Sequence, residues 1–534
     1  MLTAFRGGRH PANFGFRHRW PPGLDNNSLF CGQKGVRGRA AMLSSPHFSA
    51  PSSRSRLQEI AGRAMRARGL APEFAPQAIA ELNAIQTPAA ADGPGVCDLS
   101  DLPWCSIDND DSRDLDQLSV AEARANGQTR ISVAIADVSA VVKPGSALDG
   151  HARQNTTSVY TAARIFPMFP EKLSTDLTSL NFAADRLALV VDMVFADDGS
   201  LEESDVYPAR VRNQAKLAYR GVDAWLEGRA AAPSAVSAVP GLADNLRLQH
   251  RIADLLAQRR HRHGALTLET LETRPVFDGA VLTDLEMETP DAAKRLIEDM
   301  MIAANGVTAR YLAAKNFPSI RRVVRTPAHW DRIVAIAAEH GSRLPKEADA
   351  PALEQFLVKA RAASPSTFPD LSLCVIKLLG SGEYVLERPD EEATGHFGLA
   401  VRDYAHSTAP NRRYPDVITQ RLLRAAMAKN QPPYDMDELA ALAVHCTAQE
   451  NAAKKVERQV AKSAAAMLLE PRLGQLFDAI VTGAAPKGTW VRIQQPPIEG
   501  KLDNPPRGLQ VGDRLRVKLV RTDVEQGFID FKSA

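Results

Sequence analysis

The chain has 534 residues, 44% of them hydrophobic and 24% charged, which is typical of a globular protein of about two to four domains and excludes a wholly disordered or fibrous chain. Its 65 basic and 63 acidic side chains give a net charge of only +2, so the overall charge neither requires nor excludes a polyanionic partner. Five scattered cysteines without a CxxC pair argue against a disulfide framework and a structural zinc site, and no apolar run approaches the roughly 18 residues of a membrane span, so we expect a soluble, cytoplasmic protein.

The first 95 residues differ in composition from the rest of the chain. Residues 1–41 carry seven Lys or Arg against one acid, Asp25, with many Gly and Pro and no apolar periodicity, which predicts a disordered basic extension. We interpret it as the product of a misassigned start, with Met42 as the true first residue, because neither a transit helix nor a secretory signal can be drawn through it. Residues 42–95 are expected to form a small helical region, with two or three short helices in Ser55–Ile85 and a linker at Thr87–Gly95.

Residues 96–470 show two hydrophobic patterns, which predicts a domain of mixed α/β (α+β) structure. Nearly continuous apolar runs rich in β-branched residues predict strands covered on both faces at Arg130–Val142 and Arg186–Phe195. Apolar residues at every third or fourth position predict helices at Leu246–Gln258, Ala292–Lys315, Val417–Met427 and Glu450–Leu469.

The last segment, residues 476–534, changes to the period of a strand. Apolar Leu515, Val517 and Leu519 alternate with three basic residues, Arg514, Arg516 and Lys518. About five such short segments, separated by Gly, Pro, Asn and Asp, predict the five-stranded β-barrel of an OB fold with one basic strand face.

Five aspartates crowd into nine residues beside the first predicted strand. Like charges a few ångströms apart raise one another's pKa unless a cation neutralises them, so such a loop is either a metal site or a solvated surface loop. An EF-hand is excluded, because Arg113 stands where Gly is needed and Ser119 where the bidentate Glu is needed. An oxygen-only ligand set suits Mg²⁺ or Mn²⁺. The five are Asp108, Asp110, Asp111, Asp114 and Asp116.

This acidic segment resembles the active-site signature of the ribonuclease II (RNB) family: an Asp, five residues, an Asp, one residue, then two adjacent Asp. Asp108, Asp114 and Asp116 fill the first three places, and Gln117 occupies the fourth. The resemblance covers roughly residues 100–470, and the C-terminal segment resembles the S1-like domain that follows this catalytic domain; no cold-shock barrels are found before it. Other segments that follow in the family's order are AIADVSAVVKPGSALDGHARQNTTSVY, PMFPEKLSTDLTSL, RLALVVDM, IEDMMIAAN and HFGLAVRDYAHSTAPNRRYPDVITQRLL.

The resemblance implies a metal-dependent exoribonuclease that removes nucleoside 5′-monophosphates from the 3′ end of single-stranded RNA, and we expect the protein to be a monomer. It makes Asp108 and Asp114 ligands of Mg²⁺ or Mn²⁺, and Asp116 a third ligand or a water-orienting group. The catalytic Gln117 is a departure, because an amide supplies no negative charge and accepts no proton. The alternative is therefore a catalytically weakened RNA-binding protein, unless Asp110 and Asp111 compensate.

Other positions carry over from the family one by one. Two tyrosines are expected to stack on RNA bases, an arginine to contact phosphate beside its basic neighbour, and two helical acids to contact RNA or brace the channel. His406 is interpreted as structural, and the segment RRHRHG (259–264) either as an RNA-facing patch or as a solvated helix end. Ala409 and Asn411 stand where the family usually shows Ser and Ile. The expected RNA contacts are Tyr160, Tyr219, Arg412, Arg413, Glu298 (or the adjacent Asp299) and Glu457.

Overall fold

The computed structural model describes residues 52–534 except 272, 288–291, 392 and 486–487. The basic extension at residues 1–41, Met42 and the start of the helical region at residues 42–51 lie outside the described residues. No helix in this described part of the chain is both long enough and apolar enough to cross a membrane.

Helices form where the sequence supplies apolar periodicity and an N-terminal cap. The Oγ of Ser52 accepts a hydrogen bond from the Ser55 N–H (3.2 Å) at the start of the first helix, and Asp435 caps the last helix through the Glu438 N–H (2.7 Å). In chain order the described helices are α1 (Ser53–Arg66), α2 (Pro76–Ala84), α3 (Ala147–Asn155), α4 (Tyr219–Leu226), α5 (Ser234–Ala238), α6 (Leu242–Arg262), α7 (Ala292–Ala314), α8 (Trp330–Glu339), α9 (Ala350–Ala363), α10 (Phe368–Leu379), α11 (Tyr414–Met427) and α12 (Met436–Leu469).

The strands form a central mixed sheet, small two-stranded sheets and a closed barrel. The central sheet has the order β1-β8-β7-β4-β3-β2-β9, and the barrel closes in the order β14-β15-β16-β18-β17. The strands are β1 (Cys97–Asp98), β2 (Cys105–Asp108), β3 (Gln117–Ala123), β4 (Thr129–Ala136), β5 (Val159–Tyr160), β6 (Ile165–Phe166), β7 (Asp185–Phe195), β8 (Leu201–Arg212), β9 (Ala215–Ala218), β10 (Thr273–Asp278), β11 (Val281–Met287), β12 (Ser319–Val323), β13 (Glu383–Glu387), β14 (Leu476–Ala485), β15 (Gly488–Ile493), β16 (Glu499–Asp503), β17 (Arg514–Asp523) and β18 (Phe528–Ser533).

The central sheet is covered on both faces, as its apolar runs predict. Alternate residues of β4, such as Ile131 and Val133, join a large core cluster with residues of α6, α7 and α11. Their neighbours Ala134 and Ala136 face a second cluster that contains Trp104 and Leu180. The domain is therefore a mixed α/β body built around this sheet, as expected.

Two predicted elements have different ends in the structure. The strand predicted at Arg130–Val142 ends at Ala136, because the Asp137 side chain accepts hydrogen bonds from the Ser139 hydroxyl (2.8 Å) and the Ala140 N–H (3.0 Å) and turns the chain. The helix predicted at Glu450–Leu469 is the second half of α12, which begins at Met436. The other predicted helices and the strand at β7 are confirmed, and Ser55–Ile85 forms the two helices α1 and α2.

The C-terminal barrel confirms the predicted OB-like fold. Val517 and Leu519 of β17 are buried, whereas Arg514, Arg516 and Lys518 are exposed, so the strand has the expected basic face. The barrel packs against α12, where an added Cβ on Gly527 would lie 2.7 Å from the Lys462 Cβ. An ion pair between Arg492 and the buried Asp370 of α10 also ties the barrel to the body (2.5 Å).

Candidate active site

The acidic loop connects two neighbouring strands of the central sheet. β2 ends at Asp108 and β3 begins at Gln117, and the two strands are antiparallel with Cys105 opposite Ser119. The loop therefore leaves and re-enters the sheet at the same edge. This arrangement brings Asp114, Asp116 and Gln117, at the returning end of the loop, back towards Asp108.

A cavity of about 880 Å³ opens beside this loop. Residues from distant parts of the chain form its wall, including the acidic loop, the β5–β6 hairpin, α4, α7 and the segment before α11. The structure thus brings most of the sequence-predicted site residues to one place. Those that line the cavity are Asp108, Asp114, Gln117, Tyr160, Tyr219, Glu298, Arg412 and Arg413.

Asp116 lies behind this wall rather than on it. It is 2% exposed, its Oδ1 accepts a hydrogen bond from the Asn411 N–H (2.9 Å), and its Oδ2 lies 3.4 Å from the Arg412 Nε. Burial raises the pKa of Asp116 to about 7, although Arg412 and the Asn411 N–H act in the opposite direction. The carboxylate therefore holds the segment that carries Arg412 against the acidic loop.

Asp108 and Asp114 present their carboxylates to the cavity. The Oδ1 of Asp108 accepts hydrogen bonds from the Asn109 N–H (2.7 Å) and the Ser112 hydroxyl (2.9 Å), which fix its orientation. Burial raises the pKa of Asp114; nearby Arg412 lowers it, and the charge of Asp108 raises it further. The two carboxylates are thus close enough to repel each other, which favours a cation between them and an incoming phosphate.

The residues present fit a divalent ion that is bound partly by substrate. In the described part of the chain, no three His, Cys, Asp or Glu side chains converge into a ready-made metal cluster. Mg²⁺ is commonly held by one or two carboxylates, with water and substrate phosphate completing its shell, so the oxygen donors of Asp108 and Asp114 suit it. The role of Asp116 as a third ligand stays a prediction, because the contacts of both its oxygens are with Asn411 and Arg412.

Arg412 and Arg413 precede α11 and differ in their surroundings. The Arg412 side chain is 47% exposed at the cavity; burial lowers its pKa, but Asp116, Tyr160 and Asp108 raise it more, so it stays charged. Arg413 instead pairs with the fully buried Asp416 (2.8 Å). Arg412 is therefore the one with a side chain open to a phosphate, and Arg413 is held largely by its own helix.

Tyr160 stands on the β5–β6 hairpin and lines the main cavity. Its side chain is 43% exposed, and its N–H donates a hydrogen bond to Glu457 Oε1 of α12 (2.9 Å). Glu457 lies outside the main cavity but lines a second, smaller one of about 190 Å³ together with Tyr160, Arg412 and Arg413. The observed contact of Glu457 therefore fixes the position of Tyr160.

Tyr219 at the start of α4 and Glu298 of α7 also line the main cavity. Glu298 lines the cavity, whereas the adjacent Asp299 is buried in an ion pair with Arg260 and does not line it. The pKa of Glu298 is raised by burial and by the charge of Asp299. The two adjacent acids between which the sequence could not decide thus differ in position, and Glu298 is the one that lines the cavity.

Sequence reasoning missed Lys294 and Asp416. Lys294 lines the cavity, and its Nζ lies 6.0 Å from the ring centroid of Tyr219. It precedes Glu298 by four residues on α7, a spacing that places both on one helix face and could have revealed it. Asp416, which accepts a hydrogen bond from the Ala409 N–H (2.8 Å), could be suspected only as an acid in the first turn of α11.

The two other sequence candidates do not line the main cavity, although His406 lines the smaller one. His406 is buried, its Nδ1 lies 2.8 Å from the Tyr384 hydroxyl, and burial holds its pKa well below the usual value. The segment 259–264 ends α6, where Arg259 pairs with Asp198 (3.1 Å) and Arg260 with Asp299. None of the four residues in these two ion pairs lines the main cavity.

The fold and site define a nuclease-type domain of mixed α/β structure followed by an S1-like barrel. The RNB domain family matches residues 96–429, and the RNase II-type exonuclease C-terminal S1 domain matches residues 475–534. The chain therefore belongs to the RNB family. It is 30% identical to Ribonuclease R of Escherichia coli over 473 residues, which cover 82% of this chain and 57% of that protein. It is 29% identical to Ribonuclease R of Thermotoga maritima over 502 residues, 86% of this chain and 68% of that protein.

Solved structures share the fold at lower identity. The apo form of Mycoplasma genitalium RNase R superposes with a TM-score of 0.80 at 21% identity, covering 90% of this chain and 78% of that one. Yeast Ssd1, described as a pseudonuclease, superposes with a TM-score of 0.63 at 18% identity, covering 78% of this chain and 52% of that one. The chain spans little more than half the length of the Escherichia coli relative, and α1 and α2, rather than a barrel, form its described residues before residue 96.

Proposed function

We propose that this protein is a metal-dependent 3′–5′ exoribonuclease that hydrolyses single-stranded RNA to nucleoside 5′-monophosphates. The observation that carries the proposal is the composition of the main cavity. Carboxylates for a cation (Asp108 and Asp114), a guanidinium for phosphate (Arg412) and aromatic rings for bases (Tyr160 and Tyr219) line the same cavity. Membership of the RNB family and the similarity to Ribonuclease R support the same activity.

The aromatic residues account for binding without sequence preference. Stacking on an aromatic ring contributes roughly 1 to 3 kcal/mol per base and accepts any base, because every base has a π face. Tyr160 and Tyr219, which line the same cavity, can therefore hold the last nucleotides of a strand. Glu457 keeps the Tyr160 hairpin in place through the Tyr160 N–H. Glu298 and Lys294 offer the ribose and phosphates polar partners on α7.

The acidic loop and Arg412 account for the hydrolysis. A divalent ion, Mg²⁺ or Mn²⁺, would be held by Asp108 and Asp114 and would lower the pKa of a water and stabilise the leaving 3′ oxygen. Arg412 binds the non-bridging oxygens of the phosphate and offsets the charge that develops on them. Asp116 holds Arg412 and the Asn411 backbone in position, and the catalytic role that we propose for it acts through this contact or as a third ligand.

The direct test is degradation of one RNA carrying either a 5′ or a 3′ label, with Mg²⁺ and with chelator. A 3′–5′ exoribonuclease releases the 3′ label at once as a monophosphate and shortens the 5′-labelled strand step by step. Chelator should stop both. Internal cleavage, or metal-independent cleavage, would contradict the proposal.

The second candidate is an RNA-binding protein of the same fold with weakened catalysis. Gln117 lines the cavity where the family signature has an aspartate, and it supplies neither charge nor a proton acceptor.

Of the two carboxylates expected to compensate for Gln117, Asp111 lines the cavity and the exposed Asp110 does not, so we propose Asp111 for this role. Loss of activity in Asp111→Asn but not in Asp110→Asn would support it, and two fully active variants would discard it.

The remaining assignments follow from the same proposal. We propose a catalytic RNB domain at residues 96–470, an S1-like RNA-binding domain at residues 476–534, and a monomer whose partner is single-stranded RNA. The Mycoplasma genitalium relative has been solved in complex with single-stranded and with double-stranded RNA.

The four cysteines of the described residues are unpaired, which suits the cytoplasmic location that we propose. Sedimentation of the purified protein tests the monomer.

A further inference from the structure

Asn411 is a buried polar residue in the wall of the main cavity. It is 1% exposed, and it stands directly before Arg412, between α11 and the acidic loop. Its backbone N–H donates the hydrogen bond to Asp116 (2.9 Å), which is independent of the side chain. Its side-chain Oδ1 accepts a hydrogen bond from the Thr178 hydroxyl (2.5 Å). Both contacts fix where the residue sits.

The other end of this side chain has no partner within the protein. Among the described residues, no atom accepts a hydrogen bond from Asn411 Nδ2, although the atom is shielded from solvent. A buried donor without an acceptor is destabilising, and such groups are rare in native proteins. The Ile that the family usually shows here has no polar side-chain atom and would cause no such destabilisation. A ligand that supplies an acceptor at this position would remove the destabilisation caused by Asn411.

The surroundings identify the chemistry of that acceptor. Asn411 lines the same cavity as the guanidinium of Arg412, which is the group open to an anion, and as the carboxylates of Asp108 and Asp114, which repel one. A phosphate oxygen accepts hydrogen bonds and donates none, which matches a lone amide donor beside a guanidinium.

We propose that Asn411 is a further substrate-binding residue, whose Nδ2 donates a hydrogen bond to a non-bridging oxygen of the phosphodiester that Arg412 binds. The inference rests on the proposed function. It also assigns complementary effects to the two amide side chains of this site, Gln117 and Asn411. Gln117 removes one negative charge from the carboxylate set, and with it part of the attraction for a cation; Asn411 adds a neutral donor that stabilises the phosphate without competing with that cation.

The experiment measures single-turnover cleavage of a short single-stranded RNA whose last linkage carries oxygen, or sulfur at either of the two non-bridging positions. Asn411→Leu keeps the backbone N–H to Asp116 and removes the side-chain donor. We expect the rate on the all-oxygen RNA to fall about 10- to 100-fold, as for one hydrogen bond to a charged group. On one sulfur isomer the loss should be much smaller, because sulfur accepts that hydrogen bond poorly.

Two further variants separate a substrate contact from a structural role. Asn411→Asp keeps the shape and the acceptor for Thr178 but places a carboxylate opposite the phosphate, so its loss should exceed that of Asn411→Leu. Thr178→Val removes the hydroxyl bonded to Asn411 Oδ1 and leaves the Nδ2 donor in place, so its loss should stay within about threefold. Equal losses on all three RNAs, a tolerated Asn411→Asp, or a Thr178→Val as impaired as Asn411→Leu would each overturn the proposal.

Two controls keep this outcome distinct from that of the proposed function. Thermal unfolding verifies that each variant folds, and Asn411→Ala, which also lacks a side-chain donor, replaces Asn411→Leu if the latter does not fold. If the wild-type protein cleaves none of the RNAs, the proposed exoribonuclease fails. The contact of Asn411 is then measured by equilibrium binding of the same three RNAs, where unchanged affinity of Asn411→Leu for the all-oxygen RNA would overturn it.

Discussion

The wall of the main cavity and the core of the C-terminal barrel are built in opposite ways. The cavity wall rests on buried polar groups: Asp116, Asn411 and Asp416 are at most 2% exposed. The barrel core is almost entirely apolar, with Val517, Leu519 and Phe531 fully buried. Buried charges require specific partners and stabilise poorly, whereas apolar burial is non-directional and stabilises in proportion to the area removed from water. The cavity wall therefore depends on specific polar partners, whereas the barrel core depends on buried apolar volume.

The largest effect expected from this difference comes from Asp116→Asn. The substitution keeps the size of a buried side chain but removes the charge that holds Arg412, so we expect cleavage to fall by more than about 10³-fold. Binding of single-stranded RNA should change little, because Asp116 does not line the cavity. Cleavage and binding are measured on the same RNA, with Asp110→Asn as the matched control on the exposed part of the loop. An equal loss of binding would contradict this division.

In the barrel, the corresponding test removes apolar volume instead of charge. Phe531→Ala should lower the free energy of unfolding of the barrel by about 3 to 5 kcal/mol, the range for truncating a buried aromatic residue. Phe528→Ala on the same strand is the control, because Phe528 is 51% exposed. Denaturant unfolding monitors both. If Phe531→Ala also lost single-turnover cleavage of a short RNA under native conditions, the structure of the body would depend on the barrel core.

The comparison also explains how far the sequence alone could lead. The five strands of the barrel could be predicted from the local alternation of apolar and polar residues, because successive side chains of a strand point to opposite faces of the sheet. The Asp116–Asn411 contact joins residues 295 positions apart, and the Tyr160–Glu457 contact joins residues 297 apart. No local pattern reveals such pairs; only the order of the family-like segments indicated that these residues share a site. The orphan donor of Asn411 was beyond reach, because it depends on what the folded chain leaves unpaired.

The basic face of β17 offers a smaller, surface effect. Replacing Arg514, Arg516 and Lys518 by Gln should weaken binding of a long single-stranded RNA about tenfold and reduce the slope of log affinity against log salt by about 2, because each lost phosphate contact on a single strand contributes about 0.7. Cleavage of an RNA too short to reach the barrel should be unchanged. A control variant replaces three exposed basic residues of the body, Arg332, Lys346 and Lys359. An equal loss in that variant would mean that the effect is one of overall charge.

The smallest expected effect concerns acid, and it again separates the two regions. The body contains His151, which is 7% exposed and whose pKa is lowered by burial to about 4, whereas residues 476–534 contain no histidine. Below pH 6.5 the unfolded chain binds a proton at this position and the folded chain does not. Stability that is present above pH 6.5 is therefore lost as the pH falls towards 4, at about 1.4 kcal/mol per pH unit for this histidine.

Denaturant unfolding of the body at pH 7.0 and pH 5.5 measures this loss, and His151→Gln provides the comparison. Glutamine can still accept the hydrogen bond of Asn155 Nδ2, which lies 3.2 Å from His151 Nε2, but it cannot titrate. The variant should be less stable at neutral pH, because it loses the ring packed against Phe74 at 4.2 Å, yet it should lose about 1.4 kcal/mol less than the wild type on acidification. An identical acid response in both proteins would assign the effect to other buried groups of the body, such as His406, whose pKa burial also lowers.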